Sequence, residues 1–288
     1  MEFTDVVQLV VYGVVLGSIL TLGAVGVNLL FGILRFSNFA HGDIMTFGAY
    51  WSYFAVSVLN LPLWASLPFG VVGGALVAVA ADQLVYRRLR GSQSVILLIS
   101  SFGMALILRS ITLLVWGPQD RSYVKGIQMP WVIGDIRVRP DHILIVLGTV
   151  ALVVGVHLFL TRTRTGKAMR AMSDDVDLAS VTGIDSERVI IWTWALGGAL
   201  AGAAGVFLAL DSRLTPMMGW GVLLPVFAAA TLGGFGKPYG AIVGGMVIGV
   251  VSELSTAVLS PAYKPAIAFA AMVIMLIVKP TGLLGARQ

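Results

Sequence analysis

Residues 142–160, HILIVLGTVALVVGVHLFL, form an apolar run that is long enough to cross a lipid bilayer. Residues 161–185, TRTRTGKAMRAMSDDVDLASVTGID, follow at once and form a polar island that is dense in charge. Basic residues lead the island and acidic residues follow them. This change from a membrane-length apolar run to a charged segment predicts a transmembrane helix followed by a loop at the membrane surface.

Composition extends this interpretation to the whole chain of 288 residues. Hydrophobic residues make up 58% and charged residues 11%, whereas soluble domains carry about 25% charged residues. The Gly- and Pro-rich stretch 214–236 is expected to be a broken or re-entrant segment, since irregular backbone at membrane depth must be covered by protein or line a cavity. We expect an all-α polytopic integral membrane protein, a single transmembrane domain over 1–288 with about eight or nine helices. Further apolar runs lie at 6–34, 43–59, 62–86, 94–116, 188–210, 240–259 and 262–279.

Lysine and arginine predict the orientation, because they are enriched in cytoplasmic loops. Basic clusters follow the third, fifth and last apolar runs, which places 87–93, 161–187 and the residues after 279 in the cytoplasm. Counting back places 117–141 in the periplasm and the N-terminus outside. Nine crossings satisfy the charge rule if 214–236 crosses, whereas eight crossings require one end of the chain to change sides.

The segment NFAHGD (38–43) places polar residues between two apolar runs. One interpretation is structural: Ser37 or Asn38 caps a helix, and Asp43 lies in the first turn of the next helix. The other interpretation is an unwound break that lines a transport pathway. The candidate pathway residues in this segment are Asn38, His41, Gly42 and Asp43.

A second glycine-rich segment, LGGFGKPYGAIVGG (232–245), is a tight turn with glycines at positive φ, or a hinge or closely packed wall of the pathway. Its candidate pathway residues are Gly233, Gly234 and Gly236. Arg109 and Glu253 are charges inside apolar runs, and such charges usually face a cavity or a partner. The expected topology places both toward the outer half of the membrane, where they could pair; Arg109 could instead extend its head group to the membrane surface.

The sequence lacks the motifs of an enzyme. It contains no GxxxxGK[ST] phosphate-binding loop, because Gly236-Lys237 is followed by Pro238. The three histidines lie far apart and show no metal-ligand spacing. We therefore expect no catalytic residue, no metal and no cofactor bound by this chain.

Five segments, in order along the chain, resemble the inner-membrane permeases of branched-chain amino acid ABC importers, of the LivH type. The sequence departs from the family pattern at Arg35, where glycine is common, and at Lys237, where a small or polar residue is usual. The five segments are NFAHGD (38–43), LLISSFGMALIL (97–108) after Tyr86-Arg87, RTRTGKAMRAMSDDVDLASVTGID (162–185), LGGFGKPYGAIVGG (232–245) and PTGLLG (280–285).

The resemblance implies a permease subunit of the bacterial inner membrane that moves branched-chain or related amino acids inward. It implies that Gly166–Gly183 holds a coupling helix, whereas the residues alone fit an ordinary solvated loop about as well. The implied partners are two ATP-binding subunits that carry ATP-Mg, a periplasmic solute-binding protein, membrane lipid and a second permease, homologous (LivM-like) or identical, with no nucleic acid. The implied coupling residues are Gly166, Lys167, Ala168, Arg170, Ala171, Asp174, Ala179 and Gly183.

Other functions remain open at this point. A urea or short-amide permease of the same class would share these motifs. A protein of another class, an ion-coupled secondary transporter, would use Asp43, His41 or Glu253 as coupling groups. The third alternative is a structural membrane subunit without a transport pathway.

Overall fold

The computed structural model describes residues 3–123, 130–133, 136–279 and 282–283, and these ranges are almost entirely helical. The predicted all-α class is confirmed. The first part contains α1 (Phe3–Leu34), α2 (His41–Ser57), α3 (Leu63–Ala81), a π-helical turn (Asp82–Tyr86), α4 (Arg87–Leu89) and α5 (Ser94–Trp116). The second contains β1 (Trp131–Ile133), β2 (Ile136–Val138), α6 (Pro140–Arg162), α7 (Arg164–Asp174), α8 (Val176–Val181), α9 (Ser186–Asp211), α10 (Met218–Gly233), α11 (Pro238–Ser255), a 3-10 turn (Pro261–Tyr263) and α12 (Lys264–Val278).

Seven segments of the described ranges are long and apolar enough to cross a membrane, judged by length and composition. Two shorter helices, α2 and α10, have 17 and 16 residues, and of these α10 is apolar. At 1.5 Å per residue they are about 25 Å long, which is less than the roughly 30 Å of a hydrocarbon core. The seven segments are Thr4–Leu34, Leu63–Leu89, Ser94–Trp116, Pro140–Arg162, Ser186–Asp211, Pro238–Ser255 and Pro261–Val278.

The segment 214–236 differs from the expected broken segment. Its main part, Met218–Gly233, is one continuous helix although Pro225 lies inside it. Irregular backbone is confined to the flanks, 212–217 and 234–237. A proline removes one backbone donor and crowds the preceding turn, but packed membrane helices tolerate this loss. The glycines and prolines therefore mark the two ends of a short helix.

The molecule has two ends, which we name after the elements they carry. The hairpin end holds β1 and β2, and a β-bridge between Arg121 and Leu214 lies on the same side. The α7 end holds α4, α7 and α8, and here Arg90 forms salt bridges with the buried Asp82 and with Glu187.

The segments to which the Lys and Arg distribution assigns opposite sides of the membrane lie at opposite ends of the molecule. The segments predicted to be cytoplasmic, 87–93 and 161–187, share the α7 end, and 117–123 lies at the hairpin end. The rest of the 117–141 segment includes residues outside the described ranges, as do 280–281 and 284–285 of the PTGLLG motif. Which side of the membrane each end faces stays a prediction.

Glycines bring the central helices into backbone contact. α3 and α9 cross at glycines, and a Cβ added to Gly74 would lie 2.9 Å from Cα of Gly202. α1 and α11 meet in the same manner, since a Cβ on Gly17 would lie 3.0 Å from Cα of Met246. Small residues at such crossings allow the close packing that holds helices together in lipid, which explains much of the high glycine content.

Candidate functional site

The chain between α1 and α2 turns back into the body of the protein. Arg35 has a positive φ of 56°. Asn38 Oδ1 accepts hydrogen bonds from Ala40 N at 3.1 Å and from Tyr86 Oη at 3.2 Å. The expected cap by Ser37 or Asn38 is wrong, because the N-cap residue of α2 is Ala40 and no side chain caps the helix. Asn38 instead stabilises the turn that leads into α2.

α2 begins at depth inside the bundle of helices. The buried ring of His41 lies against Gly26 of α1, where an added Cβ would be 3.0 Å from His41 Cε1. Gly26 precedes Leu34, the last residue of α1, by eight residues, or about 12 Å along the helix axis. The N-terminus of α2 is therefore well removed from the α7 end of α1.

The first turns of α2 and α10 meet at this depth. Gly42 and Gly219 are each the second residue of their helix, and a Cβ on Gly42 would lie 2.6 Å from the Gly219 carbonyl oxygen. Gly219 N donates to Thr46 Oγ1 over 3.1 Å. Each helix N-terminus carries a partial positive charge. We call this contact the α2–α10 junction.

Asp43 and Arg109 form a charged pair at the junction. Arg109 donates Nε–H to Asp43 Oδ1 and Nη2–H to Oδ2, both over 3.1 Å, and the exposed fractions of the two side chains are 1% for Asp43 and 14% for Arg109. Arg109 Cζ also lies 4.9 Å from the ring centre of Trp220 in the first turn of α10, a cation–π contact. The expected pair of Arg109 with Glu253 is wrong, because Glu253 binds Lys264 at the start of α12.

Aromatic rings cover one side of the junction. Phe39 stacks on Phe102 with 4.4 Å between ring centres and lies 5.2 Å from Phe227, while Phe102 lies 6.0 Å from Trp220. Phe102 is 37% exposed, and a Cβ on Gly103 would meet no described atom within 4 Å. The junction therefore adjoins an open aromatic face. Charged and aromatic groups of this kind can bind a small molecule that has both polar and apolar parts.

The other predicted pathway residues lie away from this face. His41 points toward α1, and neither ring nitrogen makes a hydrogen bond of standard geometry with a described residue. Gly233 packs on Gly240 near the α7 end, and Gly234 and Gly236 have positive φ values of 104° and 75°. Their geometry is that of the tight turn between α10 and α11.

The polar island forms two helices, whereas one was expected over Gly166–Gly183. The first, α7, starts at the N-cap Thr163, whose Oγ1 accepts a hydrogen bond from Gly166 N over 2.9 Å. Met169 and Met172 are buried, so this face of α7 packs against the bundle. Three of the predicted coupling residues are exposed on the other face: Lys167, Arg170 and Asp174. Ala168 and Ala171 are half-buried.

The break after α7 occurs at Asp175, which has extended backbone and caps α8 by accepting a hydrogen bond from Leu178 N over 2.9 Å. Ala179 is buried, and α8 ends in a Schellman turn at Gly183, whose φ is 86°. Leu178 and Val181 are 62% and 81% exposed. The α7–α8 unit therefore presents both charged and apolar side chains outward.

Several of these residues were not predicted from the sequence. Leu178 and Val181 are three residues apart, and that spacing is the signal for one exposed face of a short helix. Gly219 and Trp220 lie three and four residues after Pro216, at the start of an apolar run. A proline in front of an apolar run often marks the start of a helix. Nothing in the sequence pairs Arg109 with Asp43, since the two lie on helices whose contact only the fold creates.

Seven apolar segments of membrane-crossing length in the described ranges define a polytopic membrane protein with a polar junction enclosed among its helices. Residues 9–276 match the family described as "Branched-chain amino acid transport system / permease component", and the chain belongs to this family. The resemblance inferred from the five segments is thereby confirmed.

Full-length relatives agree with this assignment. The chain is 33% identical to the high-affinity branched-chain amino acid transport system permease protein LivH of Salmonella typhimurium, over 99% of this chain and 97% of the relative. It is 30% identical to the corresponding protein BraD of Pseudomonas aeruginosa, with the same coverage. It is 28% identical to the probable branched-chain amino acid transport permease protein LivH of Methanocaldococcus jannaschii, over 94% and 90%. The chain is a multi-pass membrane protein and a transport permease component.

Proposed function

We propose that this chain is the membrane-spanning subunit of an ABC importer of the bacterial inner membrane, and that it moves branched-chain amino acids into the cytoplasm. The α7–α8 unit carries the proposal. Met169 and Met172 anchor the unit to the bundle, while Leu178 and Val181 remain exposed on its surface. A surface unit that is anchored to the bundle in this way can transmit the movement of a partner subunit to the membrane-spanning helices. Two ATP-binding subunits with bound ATP-Mg would supply that work, because this chain lacks a phosphate-binding loop.

The same proposal assigns a side to each end of the molecule. The α7 end faces the cytoplasm and the ATP-binding subunits, in keeping with its basic clusters. The hairpin end faces the periplasm, where a solute-binding protein delivers the substrate. A second permease, either a LivM-like homologue or another copy of this chain, would cover the open aromatic face beside Phe102 and Gly103 and complete the pathway.

The α2–α10 junction suits a zwitterionic amino acid. Arg109 and two helix N-termini attract a carboxylate, and Asp43 attracts an ammonium group. The rings of Phe39, Phe102 and Trp220 offer an apolar surface for the side chain. Urea can form hydrogen bonds with both members of the ion pair, but it is uncharged and gains no ionic attraction from either, so the junction favours an amino acid. The names of the relatives, which are branched-chain amino acid permeases, agree with this choice.

The family assignment favours an ABC importer over an ion-coupled transporter, because the relatives are permease proteins of branched-chain amino acid transport systems. The α7–α8 unit favours it as well, since an ion-coupled transporter needs no surface for a partner that hydrolyses ATP.

Purification of the intact assembly from native membranes tests the proposal. We expect two ATP-binding subunits to co-purify with the chain, and the reconstituted complex to take up labelled leucine only with ATP and binding protein present. Uptake of leucine driven by an ion gradient without ATP would overturn the ABC assignment. Uptake of urea in place of leucine would overturn the substrate.

A further inference from the structure

A cavity of about 370 Å³ lies at the α7 end, between α1, α7 and the turn that joins α10 to α11. Its volume is in the range of small-molecule sites, roughly 300–1,000 Å³. Much of its wall is apolar and is formed by Leu29, Ile33, Leu160 and Met169. Its lining residues are different from those of the α2–α10 junction.

Asn28 lines this cavity and has one unused polar atom. The side chain is fully buried, and Nδ2 lies 3.1 Å from the Gly234 carbonyl oxygen and 3.2 Å from that of Lys237. These acceptors fix the orientation of the amide. Oδ1 is buried and has no hydrogen bond partner among the described residues. An unsatisfied buried acceptor is costly, so Oδ1 marks a place where a bound molecule can donate a hydrogen bond.

The rim of the cavity carries both signs of charge. Arg170 and Asp174 are four residues apart on α7, and Lys237 lies opposite on the α10–α11 turn. Within the described ranges, no salt bridge holds any of the three. Two cations and one anion at the mouth of an apolar cavity form a complementary surface for a small zwitterion.

We propose that this cavity is a regulatory site for the transported product, an α-amino acid with an apolar side chain; the choice of ligand rests on the proposed function. Lys237 and Arg170 bind its carboxylate, and its ammonium group donates to Asn28 Oδ1 and pairs with Asp174. The side chain lies on the apolar wall. An anionic phospholipid would satisfy the two cations but would be repelled by Asp174.

Occupancy of the cavity would restrain α7. The ligand would join α7, through Arg170 and Asp174, to α1 at Asn28 and to the turn at Lys237. The α7–α8 unit could then move less relative to the bundle. Amino acid that accumulates on the α7 side would therefore slow its own further import.

The test uses the complete transporter in proteoliposomes, with ATP enclosed so that only complexes whose α7 end faces the lumen are energised. Uptake of labelled leucine is measured with and without unlabelled leucine in the lumen. We expect luminal leucine to slow uptake in the unmodified protein. Lys237→Ala should raise the half-inhibiting leucine concentration about tenfold, as expected when one charged hydrogen bond is lost. Its uptake into leucine-free vesicles should be unchanged.

Two variants calibrate this result. Lys237→Arg keeps the positive charge and should retain inhibition by luminal leucine. Arg88→Ala removes an exposed cation from the same end of the molecule but away from the cavity, so this variant should behave as the unmodified protein. Normal uptake that luminal leucine does not slow, or slows equally in Lys237→Ala, overturns the site. Inhibition that depends on anionic phospholipid and not on luminal leucine also overturns it. Absence of leucine uptake in every preparation would instead count against the proposed function.

Discussion

The Asp43–Arg109 pair shows how one side chain determines whether another can be buried. Asp43 is almost fully inaccessible, and its two oxygens are bound by a single guanidinium. Removing one partner from a buried pair costs about 3–5 kcal/mol, because the other charge is left uncompensated. Loss of either residue alone therefore mixes an effect on stability with an effect on transport.

A neutral double variant separates the two effects. We expect Arg109→Ala to lower the thermal stability of the purified complex, and Asp43→Asn combined with Arg109→Gln to recover most of it, because no charge is then buried alone. Leucine uptake should be lost in both, since the junction no longer attracts a zwitterion.

The second ion pair supplies the matched control. Glu253→Gln combined with Lys264→Gln also removes a pair between helices, but away from the junction, and should leave uptake near normal. Normal leucine uptake by the Asp43→Asn/Arg109→Gln variant would show that the junction has only a structural role.

At this scale the sequence predicts which residues are unusual but not which of them meet. Arg109 and Asp43 were both recognisable from the sequence as charged residues within or beside apolar runs. Their contact depends on the rotation of α5 and α2 about their axes. Apolar residues surround all faces of these helices, so hydrophobic periodicity does not report that rotation.

At the scale of elements, glycine contacts hold α3 against α9. Gly74→Val should destabilise the protein by about 1–3 kcal/mol, because the added atoms have no space between the two backbones. The measurement is thermal unfolding of the purified complex in detergent. Gly155→Ala on α6 is the control, since a Cβ there meets no described atom within 4 Å, and replacing glycine in a helix should be neutral or slightly stabilising. Equal stability of the two variants would contradict close packing at this crossing.

The α7–α8 unit predicts how ATP hydrolysis is coupled to transport. Leu178→Asp and Val181→Asp should each reduce ATPase stimulation by the loaded binding protein and reduce leucine uptake, because a charge replaces an apolar contact with the partner subunit. Ser180→Asp adds the same charge on another face of α8, where Ser180 is also exposed, and should have a smaller effect. Equal ATPase stimulation in all three variants would argue against α8 as the docking surface.

Elements with strong signals could be predicted from the sequence, and those set by tertiary contacts could not. Long apolar runs gave α1, α5, α6 and α9 to within a few residues. The break at Asp175 was not anticipated, although Asp is a preferred N-cap residue. The depth at which α2 and α10 begin was also hidden, because it depends on the Gly42–Gly219 contact between segments far apart in the chain.

For the whole molecule, the charge rule and the fold lead to the same division into two ends. The basic segments 87–93 and 161–187, which are separated in sequence, come together at the α7 end through the salt bridge between Arg90 and Glu187. A membrane protein inserted in one orientation must keep all these charges on one side. The grouping of these basic segments at one end of the molecule therefore supports the predicted orientation more strongly than either segment does alone.

Cysteine labelling tests that sidedness directly, because the chain contains no cysteine. Gln93, Ser122 and Ser180 are exposed positions, the first and last at the α7 end and Ser122 at the hairpin end. In intact spheroplasts, Ser122→Cys should react with a membrane-impermeant maleimide, whereas Gln93→Cys and Ser180→Cys should react only after the membrane is permeabilised. Denatured samples control for thiols that are merely hidden by partners. Reaction of Ser180→Cys from outside would reverse the molecule in the membrane and place α7 and α8 beyond the reach of cytoplasmic ATP-binding subunits. Both the coupling role of α8 and the regulatory cavity would then fail together, because each requires the α7 end to face the cytoplasm.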